Sequence, residues 1–149
     1  MILKITEVLV LCACLLTQVV SYASTQETND VWLRHIDAWQ RQSLADIAAD
    51  YAPDARIVIN NRVFTGRNEV RHVFSHLFKL FSTGSTQIDT PVVFDRFIYI
   101  TWQFSPQGGH ETQPYFGTDT FVVEDGLIRL QTIGSALYDS CSYEPEFLC

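Results

Sequence analysis

Residues 115–134, YFGTDTFVVEDGLIRLQTIG, decide the fold of this chain. Alternation puts Tyr115, Gly117, Asp119, Phe121 and Val123 on one strand face, and Glu124-Asp125-Gly126 makes a turn into Leu127, Ile128, Leu130 and Ile133. The pattern predicts a β-hairpin whose apolar face is interrupted by one carboxylate, Asp119. Burying that group unpaired is costly, so it is expected to be neutral, hydrogen-bonded or at the wall of a cavity.

Upstream of the hairpin, Ser105-Pro106-Gln107-Gly108-Gly109 reads as a turn, since no helix follows it to cradle a phosphate. Before it, Phe97 to Phe104 is a strand with Ile98, Ile100, Trp102 and Phe104 on one face and Phe97, Tyr99, Thr101 and Gln103 on the other. Gln87 to Arg96 is expected as a further strand, with Pro91 marking an edge or a bulge. Ser82 to Ser85 is a polar break after the most strongly periodic segment, Arg67 to Phe81, which places Val70, Val73, Phe74, Leu77, Phe78 and Phe81 on one helix face. Glu69, His72 and His76 lie on the opposite face; an exposed i,i+4 His pair without a buried third ligand does not make a metal site, and none is expected.

Nearer the N-terminus, Ala55 to Asn60 alternates as a strand, Asn60-Asn61 turns, and Val63-Phe64 returns. Ser43 caps a helix in which Leu44, Ile47, Ala48 and Tyr51 share a face, with Pro53-Asp54 as its stop. Thr28 to about Gln42 is an amphipathic helix bearing Val31, Trp32, His35, Ile36 and Trp39 on its apolar stripe. His35 there is either a satisfied core residue or, with two Trp rings, part of a pocket wall that donates or carries a proton. Helix, helix, strand pair, helix and four long strands make an α+β domain, with three helices in the N-terminal half packed on a curved mixed or antiparallel sheet; if that sheet curls around the third helix it becomes a cone with an open end.

The 149 residues suffice for one domain with a real core. Lys4, an apolar run from Val8 to Val20 and Ser21-Tyr22-Ala23 read as a signal peptide over residues 1–23, leaving a single domain at 24–149 with a tail from about 135. The apolar run rises only about 20 Å as helix, short of a bilayer core of about 30 Å, so no stable membrane span is expected after cleavage. The address implies a secreted or periplasmic protein. Losing Lys4 and Glu7 leaves the formal charge at −7, and with no basic run nucleic acid is excluded as a partner. Cys141 and Cys149 then remain in an oxidising compartment and are expected to pair, tying down only the tail.

The order of elements, and the residues that carry it, resemble the NTF2-like superfamily, in its SnoaL-like and ketosteroid-isomerase-like branch. AWQRQSLADIAADYAPDARIVIN looks like the family's helix hairpin and its turn into the first strand, FTGRNEVRHVF like its entry to the third helix, and GTDTFVVEDGLIRLQTI like its penultimate hairpin. By this resemblance His35 falls where ketosteroid isomerases hold an oxyanion-hole tyrosine and Asp119 where they hold its partner acid. Their proton-shuttling aspartate falls on Ile59, beside Asn60, which disfavours the isomerase mechanism; the polyketide-cyclase members rely mainly on one acid near the Asp119 position. Ketosteroid isomerases keep that partner acid neutral in an apolar site so that it can donate a hydrogen bond, and by analogy Asp119 is expected to have a raised pKa.

Three roles follow from the resemblance and the residues together. One is a module that holds a small apolar molecule among Trp32, Trp39, Trp102, Tyr115 and Phe121. Another is an isomerase, cyclase or hydrolase acting on a carbonyl compound, with Asp119 as acid/base and His35 as donor. The third is an interaction domain that pairs through Tyr99, Thr101 and Gln103 into the superfamily's homodimer. No cofactor is expected in any of them, and fold alone does not choose.

Overall fold

The computed structural model describes residues 23–107 and 113–138. The signal segment up to Tyr22, and Cys141 and Cys149 with their expected disulfide, lie outside the described residues. The chain runs α1 (Thr25–Gln40), α2 (Leu44–Asp50), β1 (Tyr51–Ile59), β2 (Arg62–Thr65), α3 (Arg67–Phe81), β3 (Gly84–Ile88), β4 (Val92–Phe94), β5 (Phe97–Pro106), β6 (Tyr115–Glu124), β7 (Leu127–Ser135) and a short 3-10 turn at Ala136–Tyr138. Three helices lie on one face of a curved, open sheet in the order β2-β1-β7-β6-β5-β3, with β4 also on β5. The sheet is mixed: β1 and β7 run parallel, and the other pairs are antiparallel.

Local chemistry sets most boundaries. Ser24 and Ser43 cap α1 and α2 by accepting from the N–H groups of Glu27 and Asp46. The predicted apolar face of α3 is buried against the sheet. Asp125 and Gly126, at φ 52° and 70°, make the left-handed two-residue turn between β6 and β7 that matches strand twist.

Two departures from the sequence expectation involve prolines. Tyr51 opens β1 rather than ending α2: its N–H still bonds Ala48 O, but its backbone is already extended. Pro53 disfavours helical conformation in the residue before it, and it sits within the register shift between Tyr51 and Arg56, where no ladder bond is lost. The expected strand from Gln87 to Arg96 is two strands, broken around Pro91, which has no N–H to give; β3 and β4 pair with the two halves of β5.

The first helix is tied to the sheet at two places. Thr28 Oγ1 donates to Asp95 O at 2.6 Å, and Arg34 Nη2 donates to Gly126 O at 3.1 Å across the tip of the hairpin. Those contacts tie α1 to the β4–β5 turn and to the β6–β7 turn. Among the described residues no helix is long and apolar enough to cross a membrane.

Candidate functional site

A cavity lies between the inner face of α1, the C-terminal half of α3 and the sheet. Trp32, His35 and Trp39 come from α1, Phe74 and Phe81 from α3, and Trp102, Asp119, Phe121 and Gln131 from the sheet; Tyr138 closes one side. Its empty volume is about 480 Å³ counting the open mouth. Four of the five expected ligand-binding aromatics line it; Tyr115 is half-buried against the core, off its wall.

Asp119 is 7 % exposed and sits in register with Ile100 on β5 and Ile133 on β7. Both carboxylate oxygens are held from the diagonal positions of the flanking strands. Trp102, opposite Gly117, donates Nε1–H to Oδ1 at 2.8 Å, and Gln131, opposite Phe121, donates Nε2–H to Oδ2 at 2.7 Å. Gln131 accepts in turn from the Tyr51 hydroxyl. Burial pushes the Asp119 carboxyl up to about 6, and the two hydrogen bonds oppose that rise. The direction is the one expected from sequence, and both oxygens are already used as acceptors of N–H groups. Burial, then the Asp119 charge, raises the hydroxyls of Tyr51 and Tyr138 well above the usual tyrosine range.

His35 and Asp119 share the cavity without a direct hydrogen bond to each other among the described residues. His35 packs edge-on against Tyr51, Phe74 and Phe121, with ring centroids 5.7, 5.8 and 5.3 Å away. Its polar neighbour is Asp50, at the end of α2, with Nδ1 3.6 Å from Oδ2. The candidate metal face of α3 brings the His72 and His76 rings 4.7 Å apart, and no group of three metal-ligating side chains occurs among the described residues. Ile59, at the isomerase base position, is buried and apolar.

Gln131, Asp50 and Tyr138 escaped the sequence reading. One signal for Gln131 was present: Ile128 and Ile133 are both apolar yet an odd number of residues apart, so a regular strand cannot bury both on one face. The structure resolves this with a bulge. Val122 pairs with Leu130 and Val123 with Ile128, which makes Arg129 the extra residue and turns Gln131 inward with Ile133.

A curved sheet covered by helices around an aromatic cavity is an NTF2-like fold. The model of the SnoaL-like domain family matches residues 32–131, so the chain belongs to that family. No curated protein matches the sequence significantly. Among solved structures, the chain resembles an NTF2-like protein of unknown function from Mesorhizobium loti at 16 % identity and TM-score 0.65, covering 74 % of this chain and 92 % of that one. A protein from Jannaschia sp. CCS1, provisionally assigned as a SnoaL-like polyketide cyclase, aligns at 14 % identity and TM-score 0.63 over 79 % and 91 % of the two chains. One from Kribbella flavida DSM 17836, provisionally assigned as a ketosteroid isomerase, aligns at 16 % and 0.59 over 74 % and 78 %.

Proposed function

We propose that this protein binds a small, largely apolar molecule in the cavity and fixes its orientation through Asp119. One observation carries the proposal: a buried carboxylate with no ion-pair partner among the described residues, held rigid by Trp102 and Gln131 at the wall of an aromatic cavity. Its two oxygens already accept from N–H donors and keep lone pairs to spare, so the ligand carries a hydroxyl, enol or amine donor on an apolar frame. The rings of Trp32, Trp39 and Phe121 supply the remaining contact, and a molecule larger than the enclosed part of the cavity extends into its mouth.

The protein is exported in this proposal. The expected cleavage after Ala23 falls directly before Ser24, so it would leave α1 and its cap intact. Amino-terminal sequencing of protein recovered outside the cytoplasm is expected to begin at Ser24.

Ligand binding is tested by thermal denaturation with phenols and cyclohexanols against the matched hydrocarbons. The hydroxyl compounds are expected to raise the melting temperature, by an amount that grows with concentration, and Asp119→Asn to shrink that rise. Equal shifts from alcohol and hydrocarbon, or none from either, would overturn the proposal.

A further inference from the structure

On the α1 side of the same cavity, two buried polar atoms face each other unsatisfied. His35 Nδ1 and Asp50 Oδ2 are both sealed from solvent and make no hydrogen bond among the described residues. They stand 3.6 Å apart, just beyond hydrogen-bond length. Leaving two such groups unpaired costs free energy that a small rotation of the imidazole recovers. The other oxygen of Asp50 accepts from Arg34 Nε at 3.3 Å, and that guanidinium also holds the hairpin tip through Gly126 O. Asp50 is therefore a fixed, ion-paired carboxylate placed behind a histidine that lines the cavity. Only Nδ1 of that ring is both sealed and unbonded; Nε2, on the opposite edge, is the nitrogen left for the cavity.

We propose that the cavity is a proton-transfer site, in which His35 Nε2 takes a proton from a bound molecule and Asp50 is the positioning residue that accepts Nδ1–H. The proposal rests on a molecule occupying the cavity, and it widens the ligand class to compounds with an acidic C–H or O–H. A carboxylate behind an imidazole selects the tautomer whose Nε2 lone pair is free, and it stabilises the imidazolium formed when that nitrogen is protonated. The other charged or titratable groups around the ring are Arg34 beside Asp50, Tyr51 in ring contact, and Asp119 and Tyr138 on the cavity wall. Asp119 and His35 thus divide the work: Asp119 holds a donor of the ligand, and His35 moves a proton.

The first test needs no ligand. Long-range proton–nitrogen NMR of the intact protein in alkaline buffer is expected to show His35 with a protonated Nδ1 and a bare Nε2, and Asp50→Asn to mix the two tautomers. A protonated Nε2 in the wild type, or an unchanged tautomer in Asp50→Asn, overturns the positioning role.

The second test uses 5-nitrobenzisoxazole, a small aromatic carbon acid. Abstraction of its C3 proton by the base sends the C–H electron pair into a nitrile as the N–O bond breaks, and the phenolate oxygen leaves with that bond's pair. Wild-type protein is expected to accelerate this opening, His35→Gln to slow it by about tenfold or more, and Asp50→Asn to lower kcat with little change in KM. A wild-type rate equal to that in buffer, or His35→Gln as fast as wild type, overturns proton transfer. Phenol binding without the expected tautomer removes this proposal alone, whereas the tautomer without phenol binding removes only the binding proposal.

Discussion

Asp119 carries a charge in a place that penalises it, and the consequence is measurable without any ligand. Its carboxyl is raised from 3.8 to about 6, chiefly by burial. A group that binds its proton more tightly when folded contributes stability that is fully present below the unfolded pKa and is lost as pH rises through the folded one. Over roughly two pH units at about 1.4 kcal/mol each, the loss is on the order of 3 kcal/mol, spread between pH of about 4 and about 6. Asp119→Asn removes it. Urea unfolding at several pH values is therefore expected to show wild type losing stability relative to Asp119→Asn across that window, with a constant difference above it. Parallel curves through pH 4 to 7 would show that the carboxyl is not desolvated. This residue was legible in the sequence because one acid on an apolar strand face has few explanations. Its donors were not legible alike: Trp102 sat on a predicted inward face, whereas Gln131 was hidden by the bulge at Arg129 that reverses the side-chain alternation. Asp50 was invisible for another reason, since only the fold brings the end of α2 behind His35.

Strand β6 positions the acid, and a glycine positions the strand's neighbour. Gly117 lies opposite Trp102, whose indole covers it so closely that a Cβ there would stand 2.1 Å from Cζ2. A mid-strand glycine gives up side-chain packing and β-propensity, and here it makes room for the ring that donates to Asp119. Gly117→Ala is expected to destabilise the fold by about 1–3 kcal/mol through overpacking, and to change the near-ultraviolet circular dichroism of tryptophan as the indole tilts off the carboxylate. Retained stability with an unchanged tryptophan signal would show that the ring has free room to move. At this scale the strongest patterns were the most readable: α3 matched its apolar periodicity from end to end, and Asp125-Gly126 announced the hairpin. Proline effects were harder to place, because Pro53 and Pro91 each interrupt a ladder by local sterics and the missing N–H, and the surrounding pairing decides whether the strand bends, shifts register or splits.

The three helices cover only one face of the sheet, and the opposite face exposes apolar groups. Phe116 is 67 % exposed, Val92 55 % and Tyr99 38 %, with Val92 and Tyr99 paired across β4 and β5. Exposed aromatic and aliphatic side chains on one sheet face are material from which an association surface can be built. The sequence resemblance implies a homodimer, and we propose that two copies meet on this face, which carries the predicted Tyr99, Thr101 and Gln103. Each copy bears a formal charge of −7, so long-range repulsion opposes the encounter and salt weakens that repulsion over a Debye length of about 10 Å at 0.1 M. Sedimentation at micromolar protein is therefore expected to show a dimer whose association tightens as salt rises from 50 to about 500 mM. Phe116→Asp places a charge at the most exposed apolar side chain of this face, and it is expected to leave a monomer with an unchanged helix and strand content. A monomer in the wild type at every salt concentration, or a dimer unaffected by Phe116→Asp, would show that the exposed face of the sheet is not the association surface.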